Sequence, residues 1–227
     1  MIPLKMIDKK FGQRRIFDDF SMDFQPGKTY ALIGRSGSGK TTLLNMIGKL
    51  EPYDSGEIMI GDKPLQQIKS EEYFRDYMGY LFQNLGLLDN ESIEANLELG
   101  LVGQKIGKDE KKALFKQVLK EVGLSYLDLD SLIYTLSGGE SQRISIAKLI
   151  LKKPKILLAD EPTASLDPKT SAEIIKLLLR MKSPERVIII ATHSPEIWAQ
   201  VDEVIALTDF DNDEFAKEFS TTAESTK

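Results

Sequence analysis

A glycine-rich segment between an apolar strand and an apolar helix constrains the fold of this chain most strongly. Residues 34–41 read G-R-S-G-S-G-K-T, which fits the pattern G-x-x-x-x-G-K-[ST]. The five residues before it, T-Y-A-L-I, are typical of a buried strand, and Leu43, Leu44 and Ile47 follow at helical spacing. A strand, a glycine-rich loop and a helix in this order predict a phosphate-binding loop in an α/β protein.

The residue types of this phosphate loop, residues 34–41, suit a nucleoside triphosphate. Its glycines let backbone N–H groups point at phosphate oxygens, and the helix that begins there adds the positive end of its dipole. Lys40 supplies a cation for the β and γ oxygens, and the Thr41 hydroxyl can ligate Mg²⁺. The residues predicted to contact the nucleotide here are Gly34, Ser36, Gly37, Ser38, Gly39, Lys40, Thr41 and Thr42.

Two carboxylates end a second apolar strand. The residues I-L-L-A precede Asp160 and Glu161, and ligands in parallel α/β sheets bind where the strands end. Asp160 is therefore predicted to hold Mg²⁺ through water. Glu161 is predicted to act as the general base that activates or orients the attacking water.

A third segment, the signature segment, reads L-S-G-G-E at residues 136–140 and begins a predicted helix. Exposed N–H groups and the small hydroxyl of Ser137 are predicted to make a second anion site there, together with Gly138, Gly139 and Glu140. The same residues also form a capping box, with Ser137 as the N-cap and Glu140 at the third helical position. Both interpretations stay open, because they are compatible.

The three segments in this order resemble the ATP-binding-cassette (ABC) family, and the resemblance covers roughly residues 11–193. It implies ATP and Mg²⁺ as ligands and an ATPase activity. It also implies a head-to-tail homodimer in which each ATP lies between the phosphate loop of one chain and the signature segment of the other. A separate integral-membrane permease is the second partner that the resemblance implies.

The resemblance assigns roles to four further residues. Gln83, after Y-L-F, matches the position that contacts Mg²⁺ and communicates with the membrane partner, and His193 matches the switch histidine that contacts the γ-phosphate. Asp167 matches the segment at the dimer seam, although it also reads as a helix N-cap before Pro168. Phe11 matches the aromatic that stacks on adenine, where the family usually has Tyr. Taken singly, Gln83 could also be an ordinary surface residue, His193 a structural histidine and Phe11 a residue of the hydrophobic core.

Composition excludes several other classes of protein. The formal charge of −5 and the pI near 5.2 disfavour a nucleic-acid binder with a broad basic surface. The absence of cysteine excludes disulfides, thiolate metal sites and thiol nucleophiles. The longest apolar runs, such as residues 187–191, are too short to span a bilayer. A transport role therefore needs membrane-spanning segments from another chain, with this chain bound peripherally at the cytoplasmic face of the cell membrane.

The pattern along the chain predicts an α/β fold of the P-loop NTPase type. Strands are predicted at residues 20–24, 29–33, 57–60, 79–82, 155–160 and 186–192, and helices at residues 108–122 and from the glycine pair to about 152. The expected architecture is an ABC cassette with a mostly parallel sheet core, N-terminal antiparallel strands and an inserted helical lobe at about 84–153. One domain is expected over residues 1–208, followed by an acidic tail at 209–227 whose composition favours disorder.

Other users of the phosphate loop fit less well. A kinase lacks the signature segment, a DNA-repair ABC ATPase carries a long heptad insertion before the carboxylates, and a translation factor has two cassettes in one chain. Within the transporters, R-D-Y-M-G-Y-L-F-Q at 75–83 and A-D-E-P-T at 159–163 resemble the lipoprotein-release, macrolide-export and antimicrobial-peptide branch. We expect an ATPase subunit that drives an exporter of peptide, lipoprotein or antimicrobial. The alternative is a membrane-coupled ATPase for signalling or cell-wall control.

Overall fold

Nine strands form two sheets within residues 1–207, the part of the chain that the computed structural model describes. The first sheet is antiparallel in the order β2-β1-β4-β5, and the second is parallel in the order β6-β7-β8-β3-β9. The strands are β1 (Ile2–Phe11), β2 (Arg14–Phe24), β3 (Thr29–Ile33), β4 (Ser55–Ile60), β5 (Lys63–Pro64), β6 (Met78–Leu81), β7 (Ile156–Asp160), β8 (Val187–Ala191) and β9 (Glu203–Ala206). The predicted parallel core and antiparallel N-terminal strands are confirmed.

Seven α-helices connect these strands within the same residues. They are α1 (Lys40–Ile47), α2 (Ser70–Glu72), α3 (Ile93–Glu98), α4 (Lys108–Glu121), α5 (Gly138–Lys152), α6 (Pro168–Arg180) and α7 (Pro195–Trp198). Over residues 1–207, no helix combines the length and the apolar character needed to cross a bilayer. The helices α3, α4 and α5 fall inside the lobe predicted at 84–153, while its boundaries and the single domain over 1–208 stay predictions. The tail predicted at 209–227 lies outside the described residues.

Side chains of the parallel sheet alternate between two hydrophobic clusters. Along β7, Ile156 and Leu158 pack into the cluster shared with α1 and the antiparallel sheet, whereas Leu157 and Ala159 pack into the cluster shared with α3 to α6. Successive side chains of a strand point to opposite faces, so a strand covered on both faces is apolar throughout. This burial on both faces explains why short apolar runs in the sequence predict the strands of the parallel sheet.

Parallel pairing aligns the ends of the three central strands. Leu32 of β3 and Asp160 of β7 both pair with Ala191 of β8. The segments that follow these strands therefore leave the sheet at one edge. They are the phosphate loop after β3, Glu161 after β7 and His193 after β8.

Helix ends agree with the predicted caps. The Asp167 carboxylate accepts hydrogen bonds from the backbone N–H groups of Lys169 and Thr170, both at 3.1 Å, and Pro168 is the first residue of α6. Gly123, which follows the helix predicted at 108–122, has a φ of 75°. Left-handed backbone of this kind favours glycine. The local sequence therefore sets the start of α6 and the end of α4.

Replacing Leu158 by Ala tests the burial of β7. The Leu158 side chain has no exposed surface, so Leu158→Ala is expected to lower the free energy of unfolding by about 2 to 5 kcal/mol. Leu88→Ala is the matched control, since Leu88 is 49% exposed, and a loss below about 0.5 kcal/mol is expected there. Denaturant unfolding measures both, and equal losses would contradict the assigned core.

Candidate functional site

The phosphate loop keeps its conformation because glycine stands where the backbone approaches β2. Gly37 and Gly39 have φ values of 87° and 96°, in the left-handed region. A Cβ atom at Gly39 would lie 2.7 Å from Ile16 Cγ2 and 2.8 Å from Phe17 Cζ. A larger residue at position 39 would therefore displace the loop from its contact with β2.

The loop surrounds the Lys40 ammonium with backbone carbonyls. Lys40 Nζ donates hydrogen bonds to the carbonyl oxygens of Gly34 at 2.8 Å and Arg35 at 3.0 Å. The Ser38 hydroxyl is buried and makes no hydrogen bond to any group within residues 1–207. A cation, an unsatisfied hydroxyl and the first turn of α1 together fit the phosphates of a nucleotide.

Thr41 and Asp160 form the oxygen-rich side of the site. Thr41 Oγ1 donates a hydrogen bond to Asp160 Oδ1 at 3.2 Å. Burial raises the pKa of the Asp160 carboxyl, while the hydrogen bond from Thr41 and the charge of Lys40 oppose that rise. A hydroxyl and a carboxylate are the oxygen donors that Mg²⁺ prefers, so this pair fits a magnesium ion.

Glu161 has an unusual backbone conformation beside this pair. Its φ is 45°, and its backbone N–H donates to the carbonyl oxygen of Ala191 at 2.9 Å. Non-glycine residues in this region carry strain, which is often found at functional sites. Glu161 Oε1 lies 3.4 Å from His193 Nε2. Burial raises the pKa of the Glu161 carboxyl, and the charges of His193 and Lys40 oppose the rise.

One cavity of about 340 Å³, the nucleotide cavity, brings together half of the predicted site residues. Its walls are Phe11, Arg14, Ile16, Ser36, Gly37, Gly39, Lys40, Thr41, Thr42, Glu161 and His193. Phe11 is 48% exposed, which disfavours a place for this residue in the hydrophobic core. A neighbouring cavity shares Thr41 and adds Gln83 and Asp160. The structure therefore groups the loop, the carboxylates, His193, Gln83 and Phe11.

Arg14 and Ile16 line the nucleotide cavity although no sequence motif marked them. The hairpin of β1 and β2 pairs Phe11 with Arg14, and Arg14 Nη2 donates a hydrogen bond to the Gly37 carbonyl oxygen at 2.9 Å. The available signal was the F-G-Q-R stretch, in which Gly12 has a φ of 60°. A tight turn between two strands at this point places residue 14 opposite residue 11.

The signature segment does not line the nucleotide cavity of its own chain. Ser137 Oγ accepts a hydrogen bond from the Glu140 N–H at 3.3 Å, and the Ser137 backbone N–H donates to Glu140 Oε2 at 2.8 Å, which confirms the capping box. Tyr126 donates to Glu140 Oε1, and hydrogen bonds from Tyr126 and Ser137 lower the pKa of the Glu140 carboxyl. The nucleotide contacts predicted for Ser137, Gly138, Gly139, Glu140 and Asp167 stay predictions.

Comparisons with known proteins identify the family that this chain is similar to. The family model described as "ABC transporter" matches residues 17–164, and a model described as "AAA domain, putative AbiEii toxin, Type IV TA system" matches residues 132–199. The lipoprotein-releasing system ATP-binding protein LolD of Rickettsia bellii is 36% identical over 91% of this chain and 95% of that protein. The methionine import ATP-binding protein MetN of Clostridium tetani is 35% identical over 92% of this chain and 66% of its own length.

The relatives include both import and export proteins. The macrolide export ATP-binding/permease protein MacB of Campylobacter jejuni is 36% identical over 92% of this chain but only 33% of its own length. This chain thus spans about two thirds of the methionine import protein and a third of the macrolide export protein. A solved structure, described as a dimeric post-hydrolysis state of the ATP-binding cassette MJ0796 bound to ADP and Pi, is also similar. Its TM-score is 0.81 at 29% identity, over 91% of this chain and 94% of that one.

The match to the family model spans more than half of the chain, and the identity to the lipoprotein-releasing protein extends over nearly all of that protein. The phosphate loop and the paired carboxylates meet at one edge of the parallel sheet in the described structure. On these grounds, the chain belongs to the ABC transporter ATPase family.

Proposed function

We propose that two copies of this chain hydrolyse ATP at shared sites and thereby drive a separate membrane permease. The division of the site carries this proposal. The nucleotide cavity holds the phosphate loop, Glu161 and His193, whereas the helix start at Ser137 lies outside it. A head-to-tail second copy would bring its Ser137 over the first copy's phosphate loop. The similar MJ0796 cassettes are described as dimers.

ATP fits the nucleotide cavity in one orientation. Its phosphates would lie on the phosphate loop, where the Lys40 ammonium exchanges the carbonyl oxygens of Gly34 and Arg35 for phosphate oxygens. Its base would then reach the exposed face of Phe11 on the wall of the same cavity. Thr41, Asp160 and Gln83 would hold Mg²⁺, which when bound neutralises charge on the β and γ phosphates.

Glu161 is the proposed general base for hydrolysis. Its carboxylate takes a proton from the water that attacks the γ-phosphorus, while the bond from that phosphorus to the oxygen of the ADP leaving group breaks. His193, 3.4 Å from the carboxylate, holds Glu161 and contacts the γ-phosphate. Lys40 and the partner's signature segment stabilise the negative charge of the transferred group.

We propose that the permease works in the direction of export or release, with this chain bound at the cytoplasmic face of the membrane. Support comes from residues 75–83 and 159–163 and from the relatives named for lipoprotein release and macrolide export. Import is the second candidate, favoured by the methionine import relatives at equal identity. Signalling or cell-wall control is the third. Co-purification of the membrane subunit, followed by ATP-dependent transport in vesicles, discriminates among them.

Lys40→Ala is expected to abolish ATP binding, because the phosphate loop loses the cation that serves the β and γ oxygens. Lys105→Ala is the matched control, since Lys105 is exposed and lies far along the chain from the loop. A nucleotide-binding titration checks both variants. Unchanged affinity in Lys40→Ala would refute the assignment of the loop.

Glu161→Gln is expected to keep ATP binding while hydrolysis falls by about two to four orders of magnitude, the usual contribution of a positioned base. Because the nucleotide stays intact, ATP should also trap a dimer that size-exclusion chromatography detects. Glu185→Gln, the same change at an exposed position, should behave as the unmodified chain. Near-normal turnover in Glu161→Gln would move the base elsewhere, with His193 the next residue to test.

A further inference from the structure

A buried lysine ammonium lies against the ring that is proposed to stack on adenine. Lys9 is only 4% exposed, and its Nζ lies 4.5 Å from the centroid of the Phe11 ring. Cations within about 6 Å of an aromatic centroid are attracted by the negative face of the ring. Lysine is rarely buried to this extent without partners, so its contacts need an explanation.

Two oxygen acceptors after α1 hold this ammonium in place. Lys9 Nζ donates hydrogen bonds to Glu51 Oε1 at 2.6 Å and to the Pro52 carbonyl oxygen at 2.7 Å. The Lys9 side chain is 5% exposed and that of Glu51 30% exposed, so water screens the pair only partly. The ammonium is therefore fixed by a different part of the chain from the one that carries the ring.

The Lys9 ammonium and the nucleotide cavity both adjoin Phe11. Lys9 and Phe11 are two positions apart on β1, so their side chains leave the same face of the strand. Phe11 lines the nucleotide cavity and Lys9 does not. An ammonium that is not part of the cavity wall thus contacts the Phe11 ring, while Phe11 stays 48% exposed at the cavity.

We propose that Lys9 is a positioning residue for the nucleotide base, which holds the Phe11 ring in the orientation that stacks on adenine. This inference rests on the proposed stacking of adenine on Phe11. A ring fixed before binding loses less side-chain freedom when the base arrives. Phenylalanine also lacks the hydroxyl through which a tyrosine ring could be anchored, and the cation supplies an anchor of another kind.

A purely structural role for Lys9 makes a different prediction. In that case the ion pair with Glu51 only stabilises the packing of β1 against the segment after α1. Its loss would then weaken the binding of every ligand of the cavity equally. The contribution of the base must therefore be measured separately from that of the phosphates. Inorganic tripolyphosphate occupies the phosphate loop without a base, so the ratio of its Kd to the Kd for ATP reports the base alone.

The experiment measures both Kd values, with Mg²⁺ present, for Lys9→Met, Phe11→Ala and the double variant. Lys9→Met should weaken ATP binding about two- to fivefold, the range expected for a cation–π contact, and leave tripolyphosphate binding unchanged. Phe11→Ala should weaken ATP binding further, and Lys9→Met should add nothing to Phe11→Ala, because the two residues act through one ring. Lys9→Arg keeps the cation and should retain the ratio.

Lys10→Met is the matched control, because Lys10 is an exposed neighbour on the same strand, and its ratio should not change. An unchanged ratio in Lys9→Met, alongside a reduced ratio in Phe11→Ala, overturns the role of Lys9 but keeps the stacking on Phe11. An unchanged ratio in Phe11→Ala overturns the stacking itself. Equal weakening of ATP and tripolyphosphate in Lys9→Met assigns Lys9 to stability alone and also overturns the inference.

Discussion

The pairing of β7 with β8 is the interaction on which the site depends. Asp160 pairs with Ala191 at the last position of the ladder, and the Glu161 N–H continues it by donating to the Ala191 carbonyl oxygen. This extra bond accompanies the strained φ of 45° at Glu161. The two neighbouring carboxylates therefore contact different groups. Asp160 accepts a hydrogen bond from Thr41, and Glu161 lies beside His193.

In the proposed function, one chain holds only part of each site. Burial at the sheet edge raises the pKa of the Asp160 and Glu161 carboxyl groups, and the charge of Lys40 opposes the rise at both. The signature segment meanwhile satisfies itself through its own capping box with Glu140. In the proposed dimer, the Ser137 hydroxyl would donate to a phosphate oxygen instead of Glu140 Oε2, and ATP would join the two chains.

Features set by local sequence could be predicted, and those set by tertiary contacts could not. The strand Thr29–Ile33 matches the predicted bounds because the run T-Y-A-L-I stops at the glycine-rich loop, and Asp167 caps α6 as its sequence indicates. Arg14 was missed because its place in the nucleotide cavity depends on the hairpin register. Lys9 was missed for a related reason: a charged residue in a strand gives no sign of a buried partner such as Glu51.

The most direct test of the shared site mixes a Lys40→Ala chain with a Ser137→Arg chain, each of which is inactive alone. A heterodimer then pairs both lesions in one site and leaves the other site intact, so the account predicts partial recovery of ATPase activity. Because the chain has no cysteine, Ser137→Cys also provides a unique position for crosslinking to nucleotide on the partner. The account is contradicted if mixing restores no activity and position 137 forms no crosslink to nucleotide bound by the other chain.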